Sequence, residues 1–177
     1  MSDPERPLRE EIRARLLGDF GVFEGWTGAH KHSGEAVFYD LVLVPRQHLI
    51  EQGFDQGYIV IELKLFNETD KTKHDTKAKD LLWQCVAYSY SEIAPPKQVP
   101  QRPLFVLYYI GGAGIDEGYK EKVNYLHHFV QRGGVGSLSF DRKGGWEMRF
   151  GGSYYFRKRF GRGPCNVGTK RMTGSSR

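Results

Sequence analysis

The chain has 177 residues, 39% of them apolar and 14% aromatic, which suits one domain with a sizeable core and excludes a disordered chain. No run approaches 18 apolar residues, and the charged start "MSDPERPLREEIRARLL" lacks an apolar signal region, so neither a membrane span nor a secretory leader is expected. The formal charge of +5 and the pI near 9.2 suit an acidic partner.

Residues 7 to 18 carry Leu8, Ile12, Leu16 and Leu17 at helical spacing, and Gly18 stops the run. "DFGVFEGW" (19 to 26) reads as a strand and "AHKHSGE" as a turn. "AVFYDLVLVP" (36 to 45) reads as a second strand closed by Pro45. "RQHLIEQGFDQG" is expected to be a connecting loop. "YIVIELKLF" (58 to 66) is a third strand. The polar run "NETDKTKHDTKAKD" leads into a helix that ends near Ile93. A Pro-rich break follows, then the apolar strand "LFVLYYI" (104 to 110). "GGAGIDEG" is a turn, "YKEKVNYLHHFVQR" a helix, and "VGSLSFD" and "WEMRF" two strands. This order predicts an α/β fold with a mixed sheet flanked by helices.

Cys85 and Cys165 are the only cysteines and have no metal-type spacing. They fit a reducing, intracellular (cytoplasmic) setting without a disulfide framework. From Tyr154 to Arg177 there are seven basic residues and no acidic one. The organisation expected is a domain over 1–153 and a basic tail over 154–177. Arg157, Lys158, Arg159 and Arg162 of "YYFRKRFGRG" are candidate phosphate contacts, beside rings that suit bases.

The strand "YIVIELKLF" poses the chemical question, because its centre holds Glu62 and Lys64. Strand alternation puts these two on one face and Ile61, Leu63 and Leu65 on the other. The preceding strand holds Asp40 inside "FYDLVLV". Two ionised carboxylates among apolar residues are costly unless paired or bound to a cation. Mg²⁺ takes a few carboxylate oxygens and keeps water for chemistry. A lysine on the same face can balance charge, act on a water or stabilise an oxyanion. Two carboxylates, a metal and a lysine suit phosphodiester hydrolysis. On the next helix Lys73, Lys77, Gln84 and Tyr88 recur at intervals of four, seven and four, which is one helical stripe. Lys73 and Lys77 are further candidate nucleic-acid contacts. "GGAGIDEG" lacks the Lys-Ser/Thr of a phosphate-binding P-loop, and the adjacent His127 and His128 diverge on a helix.

Asp40, "IELK" and the Gln84–Tyr88 pair of "QCVAY" together resemble the PD-(D/E)XK nuclease superfamily, in particular the RecB-like branch with its Q-x-x-x-Y motif. The order α-β-β-β-α-β over residues 7 to 110 is similar to that superfamily's restriction-endonuclease-like core; an α-β-β extension would follow it. The resemblance implies a magnesium-dependent deoxyribonuclease, an endonuclease or exonuclease that hydrolyses DNA by a metal-activated water, with Mn²⁺ able to substitute. It implies Asp40, Glu62 and the Leu63 backbone carbonyl as metal ligands and Lys64 as the catalytic lysine. Gln84, with Tyr88 behind it, would orient the site or contact DNA. Glu10 or Glu11 would be a further ligand from the first helix, and His30 or His32 would fill the place of an upstream histidine. Tyr39 stands before the aspartate where the family has Pro or Gly. One site per chain would make a homodimer one way to cut both strands. The alternative is a catalytically inactive nucleic-acid-binding or assembly module of the same fold.

Overall fold

The computed structural model describes residues 3–65, 71–94, 101–111, 135–150, 153–159 and 165–166; for 71–75, 153–155 and 165–166 it describes the backbone alone. The expected helix "YKEKVNYLHHFVQR", with His127 and His128, lies outside the described residues. So do most of the Gly-rich turn, most of the Pro-rich break and the tail residues from 167 onward.

The fold is α/β, with a mixed, curled sheet and, among the described residues, few helices. In chain order the elements are α1 (Arg6–Leu16), β1 (Phe20–Phe23), β2 (Thr27–His30), β3 (Ala36–Phe38), β4 (Leu41–Pro45), α2 (Gln47–Glu51), β5 (Ile59–Leu65), α3 (Lys71–Ser89), β6 (Ser91–Ile93), β7 (Phe105–Gly111), β8 (Gly136–Phe140), β9 (Trp146–Phe150), β10 (Ser153–Lys158) and β11 (Cys165–Asn166). Eight strands form the main sheet in the order β1-β4-β5-β7-β8-β9-β10-β11, and β3-β2-β6 form a small second sheet. β1, β4 and β5 are antiparallel neighbours, whereas β5 and β7 run parallel, with α3 as part of the connection between them. β8 is parallel to β7, and β8 to β11 continue antiparallel.

The alternation of β5 divides the core. Ile59, Ile61 and Leu63 face α1, whose Leu8, Ile12 and Leu16 recur one turn apart and are buried. Val60 faces the other way, toward Leu81, Cys85 and Tyr88 of α3. Burial of a full Leu or Ile side chain is worth roughly 1.5–3 kcal/mol, so each face supplies a strong register signal.

One edge of the main sheet, at β1, comes back to β9 and β10. Four strands separate β1 from β9 in the sheet, a span of about 24 Å if it were flat. Yet the Phe20 ring on β1 is 5.3 Å from that of Trp146 on β9. The sheet therefore curls around the α1-side core. Asp19 fastens this closure. Its carboxylate accepts from Trp146 Nε1 at 2.8 Å and from Lys158 Nζ at 2.8 and 3.1 Å, and it meets His48 Nε2 at 3.1 Å. Burial pushes the Asp19 carboxyl up, but the bonds from Lys158, Trp146 and His48 outweigh it and hold the group below its usual range. Asp19→Ala should therefore cost about 3 kcal/mol, because it leaves the Lys158 charge and the Trp146 N–H unpaired. Urea denaturation at pH 7 measures this, and a loss under about 1 kcal/mol would deny the closure role.

Several sequence expectations are revised: the helix expected to end near Ile93 stops at Ser89, and Ser91–Ile93 form β6, while the turn expected over 29–35 begins inside β2. The single strand expected over 36–45 breaks at Tyr39-Asp40 into β3 and β4, which join different sheets. The expected loop after Pro45 holds the short α2. The expected boundary between 153 and 154 falls inside β10, which pairs with β9 and buries Phe156 completely. Lys158, expected as a tail cation, is instead the partner of buried Asp19.

Candidate active site

Asp40 sits where the chain leaves the small sheet for the main one. The β4–β5 register sets Leu41 against Ile61, so one step back Asp40 stands opposite Glu62 on the α3-side face. Asp40 Oδ2 accepts the Leu63 N–H at 2.8 Å. The Leu63 N–H lacks a β4 carbonyl there, since Tyr39 has turned toward the small sheet, where its N–H donates to Trp26 O. A strand residue projects its N–H and C=O to the same side. The Leu63 carbonyl is thus directed to the edge occupied by Asp40, while its side chain is buried in the α1-side core. Among the described residues the Asp40 carboxylate accepts this one hydrogen bond, which leaves further acceptor capacity on it.

Glu62 is fully buried. Lys64 Nζ lies 2.5 Å from its Oε1, but the approach is off the hydrogen-bond direction. Among the described residues neither Glu62 oxygen accepts a hydrogen bond, and Gln84 Oε1 is a third buried oxygen in the same condition. Burial, reinforced by the field of Asp40, pushes the Glu62 carboxyl up to about 8 against the opposing pull of Lys64. Burial tends to lower Lys64, but Glu62 outweighs it and the ammonium is held above its usual range.

α3 covers this face with its 78-81-85-88 stripe, all buried. The Cys85 thiol is free, and burial with the Glu62 field pushes it well up, so it stays protonated. The Tyr88 hydroxyl lies within reach of Glu62, but its proton goes to the Phe38 carbonyl at 2.7 Å. Lys77 extends along the helix to the end of β5 and donates to the Leu65 carbonyl at 2.6 Å. Lys73 lies outside the residues whose side chains are described.

The N-terminal acids fall differently. Glu10 pairs with Arg6 and Glu11 with Arg15, each on the exposed side of α1. Glu5, just before α1, is the acid whose field reaches Lys64. It was not foreseen, because a residue before a helix carries no periodic signal. His30 and His32 lie at the end of β2 and in the turn after it, their rings 5.9 Å apart, and His30 Nδ1 is 3.1 Å from Ser33 Oγ. Of the basic residues near the C-terminus, Arg159 is exposed, Arg157 is half-buried, and Arg162 lies outside the described residues.

No family model, curated protein or solved structure matches this chain.

Among the described residues no three His, Cys, Asp or Glu side chains cluster as a metal group. The two carboxylates and the Leu63 carbonyl are nevertheless all hard oxygen donors, the kind Mg²⁺ takes in small number. Buried acceptor oxygens without donors, as in Glu62, are the groups a cation satisfies. The residues fit Mg²⁺ or Mn²⁺. No helix among the described residues is long and apolar enough to cross a membrane.

Proposed function

We propose that the chain is a magnesium-dependent nuclease that hydrolyses DNA phosphodiester bonds. The observation that carries this reading is Glu62: fully buried, without a hydrogen-bond donor among the described residues, opposite Asp40 and 2.5 Å from the Lys64 ammonium. The reading of α1, β1, β4, β5, α3 and β7 as a restriction-endonuclease-like core is part of the proposal. Its support is the antiparallel β1-β4-β5 run joined in parallel to β7.

Asp40, Glu62 and the Leu63 carbonyl would hold the cation. When bound, Mg²⁺ polarises a phosphoryl oxygen and lowers the pKa of water. Asp40 and Glu62 supply the negative charge that a cation needs in a site closed by Cys85 and Tyr88. Lys64, beside Glu62 on the same face of β5, is placed to face the charge that develops on the phosphoryl oxygens. Gln84 offers a buried acceptor that can orient a water. Exposed Arg159 and the net positive charge favour a phosphate backbone.

The test is a Mg²⁺-dependent cleavage assay over linear, circular, single-stranded and branched DNA. Cleavage that stops on chelation supports the proposal. Binding without cleavage of any substrate would instead favour a non-catalytic module. Lys64→Ala should keep Mn²⁺ affinity within about threefold and lose roughly 100-fold in turnover, the scale for removing one group that meets transition-state charge. Calorimetry and single-turnover kinetics together read this, and unchanged turnover would remove Lys64 from the mechanism.

A further inference from the structure

Asp40 stands where the chain crosses from β3 of the small sheet to β4 of the main one, one residue outside the β4–β5 ladder. What fixes it there is a closed set of hydrogen bonds that none of the candidate metal ligands makes. The Tyr39 hydroxyl donates to Ser91 Oγ at 2.7 Å, and Ser91 Oγ donates to the Tyr88 carbonyl at 2.7 Å. The Tyr88 hydroxyl donates back to the Phe38 carbonyl at 2.7 Å. The Tyr39 and Tyr88 rings meet edge to face at 5.1 Å. Tyr39, Tyr88 and Ser91 are all buried, so water does not compete for these bonds.

The circuit joins the C-terminal end of α3 to the two residues that precede Asp40. Gly28 makes room for it: a Cβ there would collide with the Tyr39 hydroxyl and the Glu92 carbonyl. Resting on the nuclease reading for its purpose, we infer that Tyr39 and Ser91 are positioning residues for Asp40. With Phe38 and Tyr39 anchored from one side and Oδ2 held by the Leu63 N–H from the other, the carboxylate has one orientation toward Glu62. An oxygen donor fixed before a cation arrives binds it more tightly, and loss of such outer partners typically costs 10–100-fold in metal affinity or activity. Neither residue is one of the candidate metal ligands or the candidate catalytic lysine. Their effect passes through the backbone of residues 38–40.

The test uses Tyr39→Phe and Ser91→Ala, each of which removes a hydroxyl and little volume. The first readout is independent of metal: amide hydrogen exchange at Leu63, compared with Ile61 two residues earlier on β5. Both variants should speed exchange at Leu63 at least about tenfold while Ile61 stays within about twofold, since Ile61 is paired with β4 and not with Asp40. Asp40→Ala gives the fully released limit for Leu63. The second readout is Mn²⁺ calorimetry, where both variants should lose 10–100-fold in affinity. Unchanged Leu63 exchange, or equal acceleration at Leu63 and Ile61, overturns the inference. Faster Leu63 exchange in variants of a protein whose wild type binds no Mn²⁺ would sustain the positioning role and reject the metal site instead.

Discussion

Asp40→Ala and Glu62→Ala should each reduce Mg²⁺-dependent cleavage of DNA at least about a thousandfold. Each removes one of two carboxylates that stand opposite each other across β4 and β5. A bound cation supplies several kcal/mol of transition-state charge stabilisation, and about 4 kcal/mol corresponds to a factor of roughly a thousand. The loss should not be a folding defect. Asp40 lies at an element boundary; removal of Glu62 relieves its desolvation but leaves the Lys64 ammonium without its neighbour, so the shape-conserving Glu62→Gln is assayed beside it. Circular dichroism should be unchanged. Cleavage within tenfold of wild type by either folded variant would reject the assignment of these carboxylates.

Glu62→Gln should make the metal-free protein markedly more stable at pH 8 than wild type, and only slightly different at pH 5. The sign follows from proton binding. The fold holds the Glu62 proton up to about pH 8, whereas the unfolded chain gives it up near 4.5. Between those values the native state binds more protons, so wild-type stability falls as pH rises. The slope approaches about 1.4 kcal/mol per pH unit between the two values and, flattening at both ends, sums to roughly 3 to 4 kcal/mol between pH 5 and 8. Glutamine keeps the shape and cannot ionise, so this component disappears. Asp19 works in the opposite sense in a lower window, where its depressed carboxyl makes stability fall as pH drops below the usual carboxylate value. Urea titrations in chelator at pH 5, 6.5 and 8 separate the two. Parallel pH profiles for wild type and Glu62→Gln would show that Glu62 is not held neutral by its surroundings.

The sequence carried the local periodicities well. The two-residue alternation of "YIVIELKLF" places Ile61 and Leu63 in one core and Glu62 on the opposite face, and the Leu8-Ile12-Leu16 spacing marks the buried side of α1. What it concealed depends on contacts between distant residues. Nothing in "AVFYDLVLV" signals that Tyr39 leaves the ladder, because the cause is Ser91 and Trp26, far along the chain in either direction. "YYFRKRF" reads as a basic tail by charge, yet Phe156 is core and Lys158 answers a carboxylate 139 residues earlier. A lone Asp19 after a helix looks like a surface group until the sheet curls and brings Trp146 to it. Glu5 and the pairs of Glu10 and Glu11 likewise depend on how α1 lies against the sheet.

On the proposed reading Asp40 and Glu62 are ligands of a divalent cation and Lys64 is not. Calorimetric titration of Mn²⁺ into wild type, Asp40→Ala, Glu62→Gln and Lys64→Ala tests it most directly. The expected result is binding by wild type and by Lys64→Ala, and binding weakened at least about a hundredfold in the two carboxylate variants. Absence of binding by folded wild type, or equal affinity in Asp40→Ala and wild type, would contradict it.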